Sequence, residues 1–102
     1  MTTTPLRRAY ADVAHGQMHY AECGSSTATR RTHGGNDIAA TPIVLLHQTP
    51  RSWREYIQVL PLLGAHRRAI AIDTAGFGES DPVAAPSIEA WAEAAQIGRA
   101  HV

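Results

Sequence analysis

Two short polar stretches hold the residue types that could do chemistry. His47-Gln48-Thr49-Pro50 follows the apolar run Ile43–Leu46, and Thr74-Ala75-Gly76-Phe77-Gly78-Glu79-Ser80-Asp81-Pro82 follows Asp73, the last residue of the apolar stretch Arg68–Asp73. An imidazole and a carboxylate at the carboxyl ends of apolar strands are candidates for proton transfer, in the crevice where open α/β sheets take their ligands. Each also has a plainer use. His47 reads as a histidine that stabilises its turn, and Asp73 as a turn anchor accepting backbone N–H bonds beyond its strand. Gly76-Phe77-Gly78 lacks the third glycine and the directly following helix of a dinucleotide fingerprint, which weakens a small Rossmann-like binding domain as an alternative. Ser80 and Ser87 lie outside any Gly-x-Ser-x-Gly context, so neither is a nucleophile by sequence.

The remaining polar residues exclude other chemistry. The six histidines (His15, His19, His33, His47, His66, His101) show no metal-ligand spacing; His15 and His19 are four apart, but on a predicted hairpin where they do not converge. No metal site is expected. Cys23 is a solitary thiol, which excludes an internal disulfide and fits a reducing compartment. Nine basic residues balance nine acidic ones and Arg30-Arg31 is too small a patch, so no nucleic-acid partner is expected.

These candidates need elements to hold them. A continuous apolar run without alternation, Ile43–Leu46, suits a strand buried on both faces. Ser52 and Glu55 have capping-box spacing, and Trp53, Tyr56, Ile57, Leu60 and Leu63 then recur at three and four residues. That pattern predicts one helix towards Gly64, kinked or shortened by Pro61. Arg68–Asp73 is a second apolar strand, which completes a βαβ unit. Upstream, Arg8–Val13 and Gln17–Glu22 flank Ala14-His15-Gly16 and read as a hairpin. Cys23–Thr41 has almost no large apolar side chain and reads as a surface loop inserted into the domain. Ser87 caps a helix starting at Ile88, and Gly98–Val102 looks like the entrance to a further strand.

LLHQTPRSW (residues 45–53) followed by IAIDTAGFGESD (residues 70–81) resembles the N-terminal half of the α/β-hydrolase sheet. The first piece is similar to the family's His-Gly-x-Pro turn through His47 and Pro50. The second is similar to its Asp-x-x-Gly-x-Gly-x-Ser turn through Asp73, Gly76, Gly78 and Ser80. The resemblance implies an α/β fold with a partial, mostly parallel α/β-hydrolase sheet over residues 1–102, the N-terminal portion of a single domain. Residues 6–22 would be its hairpin, 23–41 its loop insertion and 42–102 its βαβ core. It implies that the Thr49 N–H is one donor of an oxyanion hole, that Gln48, where the family usually has glycine, brings an amide near the pocket, and that Trp53 or Tyr56 lines it. His47, Pro50, Asp73, Gly76, Gly78 and Ser80 take structural turn roles, because the family's histidine base lies far downstream. Arg99–Val102 is similar to the start of the strand before the nucleophile elbow, so the chain is expected to stop short of nucleophile, acid and catalytic histidine.

The resulting expectation is a hydrolase by resemblance, truncated and inactive as 102 residues, whose complete relatives cut an ester or related bond of a small-molecule substrate without cofactor. The alternative is a non-catalytic module that completes its sheet with a partner chain. An open sheet edge predicts self-association. At 44% apolar and 18% charged residues the composition is that of a globular chain. No apolar run approaches a membrane span, and MTTTPLRRAY lacks the apolar core of a signal peptide, so no membrane association and a cytoplasmic location are expected.

Overall fold

The computed structural model of the chain describes residues 5–24, 29–31, 37–39 and 41–101. Strand β1 (Arg7–Val13) and strand β2 (Gly16–Cys23) pair antiparallel, with Ala11 opposite Met18 and Val13 opposite Gly16. Period-two alternation puts Ala9, Ala11 and Val13 on the face that packs with Met18 and Tyr20, while Tyr10 and Asp12 face outward. The turn needs Gly16: its φ is +138°, and a Cβ there would stand 2.4 Å from the Asp81 Oδ2.

The stretch expected to be a featureless loop, residues 23–41, differs where it is described. Cys23 is the buried last residue of β2, paired with Ala69 and packed beside Trp53 and Leu60. Strands β3 (Thr29–Arg31) and β4 (Asp37–Ala39) form a separate antiparallel pair, Arg30 opposite Ile38. Three-residue strands are too short for a hydrophobic pattern to announce them. The rest of the expected loop lies outside the described residues.

Strand β5 (Ile43–Leu46) runs parallel to β6 (Ala69–Ile72), Leu46 beside Ile72, and β6 lies antiparallel to β2, Tyr20 beside Ile72. The sheet order is β1-β2-β6-β5. The sheet expected to be mostly parallel has one parallel pairing of three, β5–β6, because the hairpin joins β6 through β2, which lies antiparallel to it. Every residue of β6 is buried. β5 is not, although its sequence is as apolar: it lies at the sheet edge, with Val44 38% and Leu46 55% exposed. An apolar run reports what a strand can tolerate, and its neighbours decide which faces are covered.

Between β5 and β6 the single predicted helix is two pieces, a 3₁₀ turn over Trp53–Tyr56 and a short helix α1 over Leu60–Gly64. Pro61 is the physical reason. Without an N–H it sits comfortably only in the first turn of a helix, so α1 starts at Leu60 with Pro61 in its first turn, and no helix runs through it. Ser52 does cap the 3₁₀ turn, its Oγ accepting from the Arg54 N–H at 3.3 Å. Glu55 does not close the predicted capping box; its carboxylate accepts instead from the Gln48 N–H at 3.3 Å.

Helix α2 (Ile88–His101) starts at Ser87, whose Oγ accepts from the Ala90 N–H at 3.0 Å. It continues through Gly98, which corrects the strand entrance expected at Gly98–Val102. One interior glycine costs only about 1 kcal/mol and does not stop a helix that good formers continue. The core has two layers. Trp53 and Leu60 pack on Ala21, Cys23, Ala69 and Ala71 on one side of the sheet; Ala95 of α2 lies against Ala11, Met18, Tyr20, Ile70 and Ile72 on the other. Among the described residues no helix is long and apolar enough to cross a membrane.

Candidate active-site wall

β5 and β6 are adjacent and parallel, so the two polar turns leave the same end of the sheet side by side. Asp73, the first residue after β6, is fully buried. A buried carboxylate must be paired or hydrogen-bonded, and this one is. Its Oδ1 accepts from the Trp53 N–H at 2.8 Å, and its Oδ2 accepts from the Glu79 N–H at 3.0 Å and stands 2.9 Å from the His19 Nδ1. The Ser80 hydroxyl donates to the Asp73 carbonyl and accepts from the His19 N–H, both at 2.8 Å. Asp73 thus ties the 3₁₀ turn, the loop after β6 and the hairpin to one carboxylate. Gly78 closes over it with φ +54°, and a Cβ there would lie 2.2 Å from the Asp73 Oδ2. Gly76, at φ +85°, donates its N–H to the Asp81 carbonyl at 3.1 Å.

His47 is buried, with the Phe77 ring set edge-on 6.0 Å away. Its Nε2 accepts from the Thr74 N–H at 2.9 Å, and its Nδ1 lies 2.8 Å from the Gln48 carbonyl oxygen. An acceptor at Nε2 and a carbonyl at Nδ1 are satisfied together only by the neutral ring with its proton on Nδ1. Both nitrogens are therefore spent on main-chain groups of the two turns.

Gln48, Thr49 and Pro50 are exposed, and the Thr49–Pro50 peptide is cis. The Gln48 carbonyl also accepts from the Arg51 N–H at 2.6 Å. The Thr49 N–H meets no acceptor among the described residues. Beside this turn lies a polar hollow of about 330 Å³ lined by Pro50, Arg51, Ser52, Arg54, Glu55 and Gly78.

Trp53 does not line that hollow. It is 3% exposed and packed in the core beside Leu60, with the Arg8 and Arg54 guanidinium carbons 5.2 and 5.0 Å from its ring centroid. Helical spacing identifies an inward face without saying whether that face meets a cavity or a sheet. Tyr56 stands at the edge of the core and donates its hydroxyl to the Leu46 carbonyl; burial, then the Glu55 charge, raises its pKa.

Two residues that matter here were not singled out as site candidates: His19 and Glu55. His19 is 1% exposed, and its Nε2 faces both the Arg8 Nε at 3.2 Å and the Glu79 Oε2 at 3.3 Å. Arg8 and Glu79 are themselves paired, and that hydrogen bond holds the Glu79 carboxyl below its ordinary range. The signal was alternation: His19 shares a strand face with Ala21 and Cys23, and a histidine on a buried face needs a polar partner. Among the described residues no group of three or more His, Cys, Asp or Glu side chains could hold a metal ion.

No family model matches the chain. A soluble epoxide hydrolase from Corynebacterium sp. (strain C12) is 35% identical over 65 residues, 64% of this chain and 18% of that protein. Among solved structures, the epoxide hydrolase CorEH without ligand superposes with a TM-score of 0.60 at 31% identity, covering 76% of this chain and 23% of that one. The Cif epoxide hydrolase from Acinetobacter nosocomialis gives 0.61 at 25% identity, covering 81% of this chain and 22% of that one. The chain spans about a fifth of the length of these proteins. Through them it is related to the α/β-hydrolases, in sequence as well as in the mixed sheet.

Proposed function

We propose that this chain forms one wall of an epoxide-hydrolase-type active site. The observation that carries the reading is the Thr49 N–H, without an acceptor among the described residues and held at the carboxyl end of the sheet by a turn that Asp73 and His47 fasten from behind. Nucleophilic hydrolysis proceeds through an acyl- or alkyl-enzyme, and water attack on that ester builds negative charge on an oxygen. A preorganised N–H aimed at that oxygen supplies about 10²–10³ in kcat. In this reading Thr49 is that donor, the Gln48 side chain borders the pocket, and the nucleophile, its acid partner and the histidine base belong to the parts of the relatives that this chain does not match.

The test is a chimera in which the chain replaces the matching segment of the Corynebacterium enzyme. Epoxide opening by the chimera, lost by two to three orders of magnitude in Thr49→Pro, supports the reading; an equally active Thr49→Pro chimera overturns it. The 102 residues alone are expected to turn over neither an epoxide nor a p-nitrophenyl ester above a heat-killed control. A second reading, a non-catalytic module completing its sheet with a partner chain, draws on the exposed Val44 and Leu46 of β5. A stable heteromer recovered by co-purification, lost when both are changed to lysine, would favour it.

A further inference from the structure

We infer that His47 is a positioning residue for the Thr49 N–H, acting as the neutral imidazole with its proton on Nδ1; the inference rests on the hydrolase reading above. The peptide that matters joins Gln48 to Thr49. Its carbonyl receives two donors, the His47 Nδ1–H at 2.8 Å and the Arg51 N–H at 2.6 Å. That peptide is trans, so its N–H points opposite to its carbonyl, away from both donors and out of the turn. Fixing the carbonyl therefore fixes the aim of the N–H. Hydrogen bonds accepted by the carbonyl also polarise the amide and make its N–H a stronger donor.

The other end of the ring is anchored just as firmly. Nε2 accepts from the Thr74 N–H at 2.9 Å, and Thr74 follows Asp73, whose carboxylate is bound to the Trp53 and Glu79 N–H groups and to His19. The imidazole is a strut between β6 and the oxyanion peptide. Its surroundings are the Phe77 ring edge from the loop after β6 and, from the 3₁₀ turn, the Glu55 carboxylate on the Gln48 N–H, which is balanced by the Arg51 Nε at 3.0 Å. A second proton on the ring would sit on Nε2 and face the Thr74 N–H, donor against donor. The strut would then fail at its β6 end.

Two measurements test this. In the ¹⁵N-labelled 102-residue chain, long-range ¹H–¹⁵N spectra should show the His47 proton on Nδ1 and a coupling across the hydrogen bond from the Thr74 N–H to Nε2. A ring protonated on Nε2, or a Thr74 amide with no coupling to the ring, overturns the inference. In the chimera, His47→Ala should lower kcat at least tenfold with KM nearly unchanged, and His47→Asn, which keeps one donor and one acceptor, should recover part of it. Equal kcat in all three chimeras defeats the positioning role while leaving the hydrolase reading intact. An inactive parent chimera defeats that reading, and with it the role assigned to the strut. Thermal unfolding of each variant separates lost aim from lost fold.

Discussion

Asp73 shows how much one buried side chain can be asked to hold. Three donors converge on its two oxygens, so Asp73→Asn, which gives up an acceptor and a charge, should cost about 3 kcal/mol in urea unfolding. Gly78→Ala should cost more than Gly76→Ala, although both glycines have positive φ. A Cβ at Gly78 meets the Asp73 carboxylate at 2.2 Å, whereas one at Gly76 finds nothing nearer than Pro82 at 3.5 Å. If the two variants unfold at the same denaturant concentration, the carboxylate is not packed as described. Glu79 gives a pH prediction. Its folded-state pKa is lowered, first by the hydrogen bond from Arg8, so its contribution is present above the ordinary carboxylate pKa and fades as pH falls through the folded value. With the paired side chains 38% and 42% exposed, solvent keeps that contribution small. The NMR titration midpoint of Glu79 should lie below that of a free glutamate and move up in Arg8→Gln.

At the level of elements, legibility followed the physical signal. The hairpin and the β5–β6 pair could be read because alternation and apolar runs persist over four or more residues, and because turn residues bound them. The Asp73 and His47 turns were readable as structure for the same reason: a polar residue directly behind an apolar strand has main-chain donors within reach. The 3₁₀ turn was not readable, since Trp53, Tyr56, Leu60 and Leu63 fit one long helix as well as two short pieces, and only the seat of Pro61 separates them. Nor was the edge position of β5, which depends on what lies beside it. That difference can be measured. Ile72→Ala, at a side chain 1% exposed, should cost about 2–4 kcal/mol, while Leu46→Ala, 55% exposed, should cost less than 1. Equal losses would mean that β5 is covered after all.

Over the whole molecule, the two faces of the sheet are unequally dressed. Trp53, α1 and Tyr56 cover one; α2 covers the hairpin side of the other and leaves an apolar hollow of about 320 Å³ between Val44, Leu46, Ile72, Ala92, Ala95 and Gln96. A strand edge unpaired among the described residues, beside exposed apolar side chains, invites contact with further chain. Light scattering of the 102 residues should therefore rise with protein concentration, and Val44→Lys together with Leu46→Lys should suppress it without lowering the unfolding midpoint.

The two indole rings happen to lie on opposite sides of this sheet. Trp53 is sealed between His19 and two guanidinium groups, whereas Trp91 is partly exposed on α2, with the Phe77 ring edge-on 5.7 Å away. Iodide should quench the fluorescence of Trp91 and spare Trp53. Single-tryptophan versions would then act as separate optical gauges, showing whether the α2 layer peels away at lower denaturant than the layer that fastens the two turns.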